Sequence, residues 1–297
     1  MNRNLVFLFT SSLCLLNFIS PVKAEETLAK IQRTGVLNVA IREDAPPFGY
    51  LDARENLQGY CLDFFALLKS QLITDLERNT LSVKLLKSTA SNRFGLVADH
   101  LIDLECGPNT IRPTPPENTN FSNSFFLTGT QFLVKQDNSL DLGGDLNGEI
   151  LGVIANTTTA KVIAQRYPQA TLKQYQGVTA RIRGIQAVAQ GKIDAMISDG
   201  ILLRAEAQQQ NLSSAEYPLV PDVPLTCDRY GMIISSNDPQ WQGFINSVID
   251  SPEAKALSNQ WFGRLFSYSC CWNSSGNNYP SFDGALFSAR VSGTSFS

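Results

Sequence analysis

The sequence predicts an α/β chain folded as two lobes, each a mixed sheet flanked by helices. Three observations carry this. Short apolar runs with strand-like alternation trade places with helical apolar spacings along the chain. The segment Ile102-Asp103-Leu104 returns as Ile193-Asp194-Ala195, each time after a helix end and before a polar loop. Two extended stretches, near 127–134 and 222–230, are placed to cross between the halves.

The elements follow in order. Thr27–Thr34 reads as a short helix stopped by Gly35, and Val36–Ile41 as the strand after it. The loop Arg42–Phe48 holds Pro46-Pro47, which remove donors and fix φ, so it is neither helix nor inner strand. Gly59-Tyr60 opens a helix with apolar residues at Leu62, Phe65, Leu68 and Leu72. Leu81–Leu86 alternates like a strand, Asn92–His100 fits a short helix, and 101–106 is a strand ending in the polar loop Gly107-Pro108-Asn109-Thr110. Ligands of open α/β sheets bind outside the carboxyl ends of strands, which marks this loop as half of a small-molecule site.

In the second half, Gly129–Val134 is strand-like, Ile150–Ala155 a strand and Thr157–Tyr167 a helix whose leading threonines can cap free amides. Thr171–Gln174 is a strand, Thr179–Gln190 a helix, and Lys192–Ile197 a strand ending in Ser198-Asp199-Gly200. Leu202–Gln210 reads as helix, Pro218–Pro224 as an extended crossing and Tyr230–Ser235 as a strand. Pro239–Ile249 and Pro252–Phe262 are helices. The predicted division is 25–127 plus 226–266 for lobe 1, 128–225 for lobe 2, and a flexible tail over 267–297 rich in Ser, Asn and Gly.

Residues 1–24 carry a basic start at Arg3, an apolar run from Leu5 to Ile19, and Val22-Lys23-Ala24 before Glu25. This is the pattern of a secretory signal cleaved after Ala24, too short and too broken to span a bilayer. Of the 24 basic residues two, Arg3 and Lys23, lie in it, leaving 22 against 27 acidic ones. That mild acidity argues against nucleic acid as a partner.

Five cysteines follow the signal: Cys61, Cys106, Cys227, Cys270 and Cys271. An exported chain meets an oxidising compartment, so a disulfide is expected. Cys106 closes a strand and Cys227 opens one, which makes them the preferred pair, with Cys61 a competitor for Cys106. No C-x-x-C spacing or histidine cluster offers a metal site, and no cofactor is expected. The single histidine, His100, reads as a solvated turn residue, so His-dependent hydrolase chemistry has little to draw on. No catalytic residues are assigned.

Several segments together resemble the type 3 periplasmic solute-binding family. They are Pro46-Pro47-Phe48, Gly59-Tyr60-x-x-Asp63, Asn92-Arg93, Glu105-Cys106-Gly107, Phe121-Ser122, Thr157-Thr158, Gly191-Lys192-Ile193-Asp194-Ala195, Tyr230-Gly231-Met232 and Trp261-Phe262-Gly263. Their order and spacing run from about Val36 to Gly263, and the likeness is to the glutamate/aspartate-binding branch. The resemblance implies a type II periplasmic-binding-protein fold with two hinge crossings. It further implies a monomeric periplasmic receptor that closes around an amino acid, preferably acidic, and docks on an ABC permease. An exported cyclohexadienyl or arogenate dehydratase on the same scaffold, and a sensor lobe pair serving a membrane signalling partner, are the alternatives.

Position by position, the resemblance implies that Arg42 and Arg93 hold the ligand's side-chain carboxylate, Thr110 and Thr157 contact it, and Asp199 receives its ammonium group. Guanidinium forks suit carboxylates, and a helix N-terminus favours an anion. Arg181 stands where the branch has a histidine contact, and Phe48 is expected as an aromatic wall. The chain departs from the family pattern at Pro115, where many members carry the arginine that clasps the α-carboxylate. Arg112, three residues earlier, is the candidate replacement. Serines of the branch are replaced by Ala90 and Pro108.

Overall fold

A computed structural model describes residues 25–263; residues 1–24, the expected signal segment, and 264–297, which include the expected tail, lie outside the described residues. Two five-stranded sheets form the framework. The first runs in the order Ser82–Ser88, Val36–Arg42, Leu104–Cys106, Ile233–Ser235, Thr119–Phe121. The second runs Thr171–Tyr175, Ile150–Ile154, Ala195–Asp199, Thr130–Leu133, Leu219–Val220. In each, the first three strands are parallel and the fourth runs antiparallel beside the third; it follows them in the chain in the first sheet and precedes them in the second. Each sheet is packed by apolar clusters on both faces, as a parallel sheet must be.

The short Ile-Asp repeat proves to be a structural equivalence. Each copy follows a helix that ends on a left-handed residue, His100 at φ 55° and Gly191 at φ 64°. In both, two backbone amides fold back on the last turn: His100 and Leu101 onto Val97 and Leu96, Gly191 and Lys192 onto Val188 and Ala187. Asp103 then clamps the start of the neighbouring strand from both sides. Its amide donates to Asn38 O at 2.8 Å, and its Oδ2 accepts from Asn38 N at 2.9 Å. Asp194 makes the same pair with Ile150, at 2.9 and 2.7 Å. His100 is exposed, in keeping with a turn role.

Three helices, Thr27–Thr34, Pro239–Ile249 and Pro252–Phe262, match the sequence reading residue for residue because their caps are explicit. Gly35 closes the first at φ 68°, while Asp238 and Ser251 accept amides of the other two ahead of a first-turn proline. Other boundaries shift. The expected strand Lys192–Ile197 is Ala195–Asp199, because the helix end and the Asp194 clamp consume residues 190–194. The expected strand Tyr230–Ser235 divides into Asp228–Tyr230 and Ile233–Ser235, which pair in different sheets. Within the Arg42–Phe48 loop, Asp44–Ala45 forms a two-residue edge strand with Gly49–Leu51. Strands Thr119–Phe121 and Phe126–Thr128 carry no pattern that the sequence reading detected.

The preferred disulfide is also corrected. Cys106 joins Cys61, with Cα atoms 5.6 Å apart, tying the helix Tyr60–Asp75 to the end of strand Leu104–Cys106. Cys227, itself disulfide-bonded, does not pair with Cys106. Lying on adjacent elements of one core decided the partner, and strand-end position alone did not reveal it.

The two passages between the sheets run side by side. Phe126–Thr128 and Asp228–Tyr230 pair antiparallel, and Thr130 N donates to Thr226 Oγ1 at 2.9 Å. At Gly129 a Cβ would meet Thr226 O at 1.9 Å, so only glycine permits this approach.

Candidate functional site

The C-terminal ends of the central strands in both sheets face each other across a cavity of about 180 Å³. Its walls include Arg42, Arg93, Phe94, Thr110 and Arg112 from the first sheet's side, and Thr157, Thr158, Lys161, Arg181 and Asp199 from the second. The two sides touch. Thr110 Oγ1 lies 3.2 Å from Thr158 Oγ1, Asn156 Nδ2 donates to Ser91 Oγ at 3.2 Å, and Arg181 donates to Asp44 O.

Seven of the eight ligand residues expected from sequence therefore line one cavity. Phe48 does not. It is fully buried among Phe125, Phe126, Tyr230 and Phe262, with ring centroids 5.2–6.0 Å away, because the loop folds it down into the lobe core. The aromatic face of the cavity is Phe94 instead, under the guanidinium groups of Arg93 at 4.9 Å and Arg112 at 4.7 Å. Its signal was adjacency to Arg93 at a helix start. Lys161 was likewise overlooked, although it lies one turn from the cap Thr157 and so on the same helical side.

The cations are not equivalent. Arg42 grips Asp44 with two parallel bonds of 2.7 Å, Nε to Oδ1 and Nη2 to Oδ2, so most of its fork is committed within its own loop. Arg93 donates from Nη1 to Ala90 O, and burial, followed by repulsion from Arg42, pulls its guanidinium down to about 10. Burial also lowers Arg112 and Arg181. Three guanidinium donors, the Nε–H groups of Arg93, Arg112 and Arg181, are buried without an acceptor.

Thr157 is the N-cap of helix Thr158–Arg166, accepting from Ala160 N at 3.2 Å and donating to Ile154 O at 2.7 Å. Among the described residues lining the cavity, Asp199 is the one acid. It accepts from Thr159 Oγ1 at 3.3 Å on Oδ1 and from Tyr230 on Oδ2. Burial raises its carboxyl, against the pull of Tyr230, Arg181 and Thr159. Behind the cavity, Glu105 is wholly buried and accepts from Ser88 Oγ at 2.8 Å and Asn109 Nδ2 at 2.6 Å, which shapes the loop that presents Thr110. Among the described residues no cluster of acidic, His or Cys side chains is arranged to hold a metal ion.

Two lobes, mixed sheets and a cleft at the strand ends fit many functions, and the family match narrows them. Residues 37–264 match the model of bacterial extracellular solute-binding proteins, family 3. The chain belongs to this family. This solute-binding protein is 26% identical over 246 residues to the glutamate/aspartate import solute-binding protein of Salmonella typhimurium, covering 82% of this chain and 80% of that one. It is 25% identical over 257 residues to the L-glutamate/L-aspartate-binding protein of Pseudomonas aeruginosa, covering 82% and 83%. A crystal structure of an ancestral amino acid-binding protein, described as a precursor of cyclohexadienyl dehydratase, superposes with a TM-score of 0.68 at 20% identity, over 82% of this chain and all of the other. That likeness is one of fold.

Proposed function

We propose that this solute-binding protein is a periplasmic receptor that closes two lobes around an acidic amino acid and presents it to an ABC permease. The observation that carries the reading is the set of three buried, unpartnered guanidinium Nε–H donors around a cavity holding one acid. Each such donor costs about 1–3 kcal/mol until an acceptor arrives, and anionic oxygens are the best acceptors. Two ligand carboxylates meet Arg93, Arg112 and Arg181, with Thr110 and the amides at the Thr157 helix start beside them. The ammonium meets Asp199. Arg42 contributes its remaining Nη1, and Arg112 takes the task left open at Pro115. The glutamate and aspartate named for two relatives support the same ligand class.

The lobes are taken as 25–127 with 226–266, and 128–225, moving about the paired passages at Phe126–Thr128 and Asp228–Tyr230. Export by the 1–24 segment and action as a monomer complete the reading.

The test is thermal unfolding of ligand-stripped protein beginning at Glu25, against glutamate, aspartate, glutamine, arginine and prephenate. A ligand at a hundred times its Kd stabilises by about 2.7 kcal/mol, a rise of roughly 5–10 °C for a chain of this size. The expected result is a saturable rise with glutamate or aspartate alone. Shifts with neutral or basic amino acids, or none with the acidic pair, refute the reading. Release of phenylpyruvate from prephenate would establish the dehydratase alternative; none is expected.

A further inference from the structure

Tyr230 lies outside the cavity wall, yet it is tied to three parts of the molecule that the proposed ligand brings together. Its backbone belongs to the ribbon joining the lobes, pairing with Phe126. It also bridges Thr110, while Gly231 N donates to Asn109 O at 3.0 Å, so the same residue borders the ligand loop. Its ring is fully buried, 5.4 Å from Phe48 at an edge-to-face angle of 69° and 6.0 Å from Phe126. Those contacts fix where the hydroxyl points. It points across the cleft and donates to Asp199 Oδ2 at the end of strand Ala195–Asp199.

Asp199 thus has one internal donor per oxygen, Thr159 from its own lobe and Tyr230 from the other. The Thr159 bond is long, at 3.3 Å. Each carboxylate oxygen can accept a further bond, so both remain available to a third donor from the cavity. Without Tyr230, the same carboxyl is a buried acid left with one weak donor and the pull of Arg181, with no second hydrogen bond to fix its orientation. The hydroxyl of Tyr230 thus reaches the carboxyl from a residue that borders the first lobe's ligand loop.

We infer that Tyr230 is a positioning residue for ligand specificity: it holds the Asp199 carboxylate aimed at the cavity, so that the acceptor for a ligand's ammonium group is completed by a donor from across the cleft. This rests on the reading of the cavity as an acidic amino-acid site and adds how the amino group is selected. An open lobe meets a dicarboxylate with its cations, and the closed pair of lobes distinguishes an amino dicarboxylate from a plain one. The hydrogen bond from Tyr230 opposes the rise that burial imposes on Asp199, in line with this role.

Glutamate and glutarate, which differ only in the α-ammonium group, are the probes. Titration calorimetry gives both dissociation constants for the wild type and for Tyr230→Phe, which keeps the ring and its aromatic contacts. The expected result is a preference for glutamate in the wild type that falls about tenfold in the variant, chiefly through weaker glutamate binding. In the Asp199→Asn background, Tyr230→Phe should change the preference no further, since the tyrosine acts through that carboxylate. Equal weakening of both ligands, or an unchanged preference, overturns the inference and leaves the acidic-ligand reading standing. A wild type that binds neither acid overturns the reading itself. Thr159→Val gives an independent arm: it should shift the same preference in the same direction by a smaller factor. Should Tyr230→Phe fail to unfold cooperatively, an unchanged preference in Asp199→Asn overturns the inference, because the tyrosine acts through that carboxylate.

Discussion

Replacing Arg93 by methionine should separate stability from binding, moving them in opposite directions. Methionine keeps an unbranched side chain in the same slot and removes the charge. The native guanidinium is buried, donates from Nη1 to Ala90 O, leaves Nε–H without an acceptor, and stands near Arg42. Holding it down at about 10 corresponds to about 3 kcal/mol against its charged form. At any pH below about 10 that cost is present in full, because the unfolded chain carries the same charge in water. The substitution forfeits the bond to Ala90, about 1 kcal/mol, and Glu105 loses its principal counter-charge. The ligand-free variant should therefore be more stable by about 1–2 kcal/mol, a rise in Tm of roughly 3–6 °C. Glutamate binding should weaken by roughly 10–100-fold, the worth of a charge-assisted hydrogen bond. Calorimetric unfolding without ligand and titration with glutamate read the two effects in one preparation. A variant that loses stability and binds glutamate as before would refute the reasoning, since it would make Arg93 a structural residue.

Burial and the neighbouring Asp199 push the Asp228 carboxyl up to about 7, so the folded protein holds a proton there that the unfolded chain releases near its ordinary value. Stability from this group is complete at acid pH and is lost as pH rises through about 7. Asp228→Asn, whose carbonyl can still accept from Thr226, should flatten the fall in Tm between about pH 4 and pH 7; an unchanged slope counts against it. His100→Gly should raise stability by about 0.5–1 kcal/mol, because the position is left-handed, exposed, and equivalent to Gly191 in the other lobe; denaturant melts check this. Converting both Cys61 and Cys106 to alanine should cost about 4 kcal/mol for a bridge closing a loop of this length, seen as a lower denaturant midpoint; a change below about 1 kcal/mol would contradict it.

The parts of the fold that were legible in the sequence were those with local physical causes. Gly35, Asp238, Ser251 and the prolines behind them fix helix ends within a few residues, and the corresponding helices were readable to the residue. What escaped depends on distant partners. Thr119–Phe121 and Phe126–Thr128 have no periodicity of their own and become strands because Ile233–Ser235 and Asp228–Tyr230 lie beside them. The Cys61–Cys106 pairing is set by helix-to-sheet packing, which cysteine spacing does not encode. In the cavity, Arg42, Arg93, Thr110, Thr157 and Asp199 were named through the family resemblance, position by position, while strand-end topology by itself marked only the loop Gly107–Thr110. Phe48 was misplaced because an aromatic after two prolines reads alike whether its loop carries it toward the cleft or folds it into the core.

On the proposed reading, the distribution of charge across the cavity gives an anion a part in closure. Arg42, Arg93 and Arg112 come from one side and Arg181 and Lys161 from the other, against a single lining acid. Asp44 neutralises Arg42 through a bidentate pair, and its charge and backbone oxygen also attract Arg181, so it offsets part of the repulsion across the cleft. The direct polar contacts between the two sides include Thr110 with Thr158, Ser91 with Asn156, Arg181 with Asp44 O and Tyr230 with Asp199. Each is worth about 1 kcal/mol net, while unscreened like charges at a low-dielectric cleft repel by comparable or larger amounts. An anion between the lobes reverses the sign, because it attracts both sets of cations and supplies acceptors to the buried Nε–H groups at once. On the proposed reading, the placement of the arginines favours the closed state once an acidic ligand is bound.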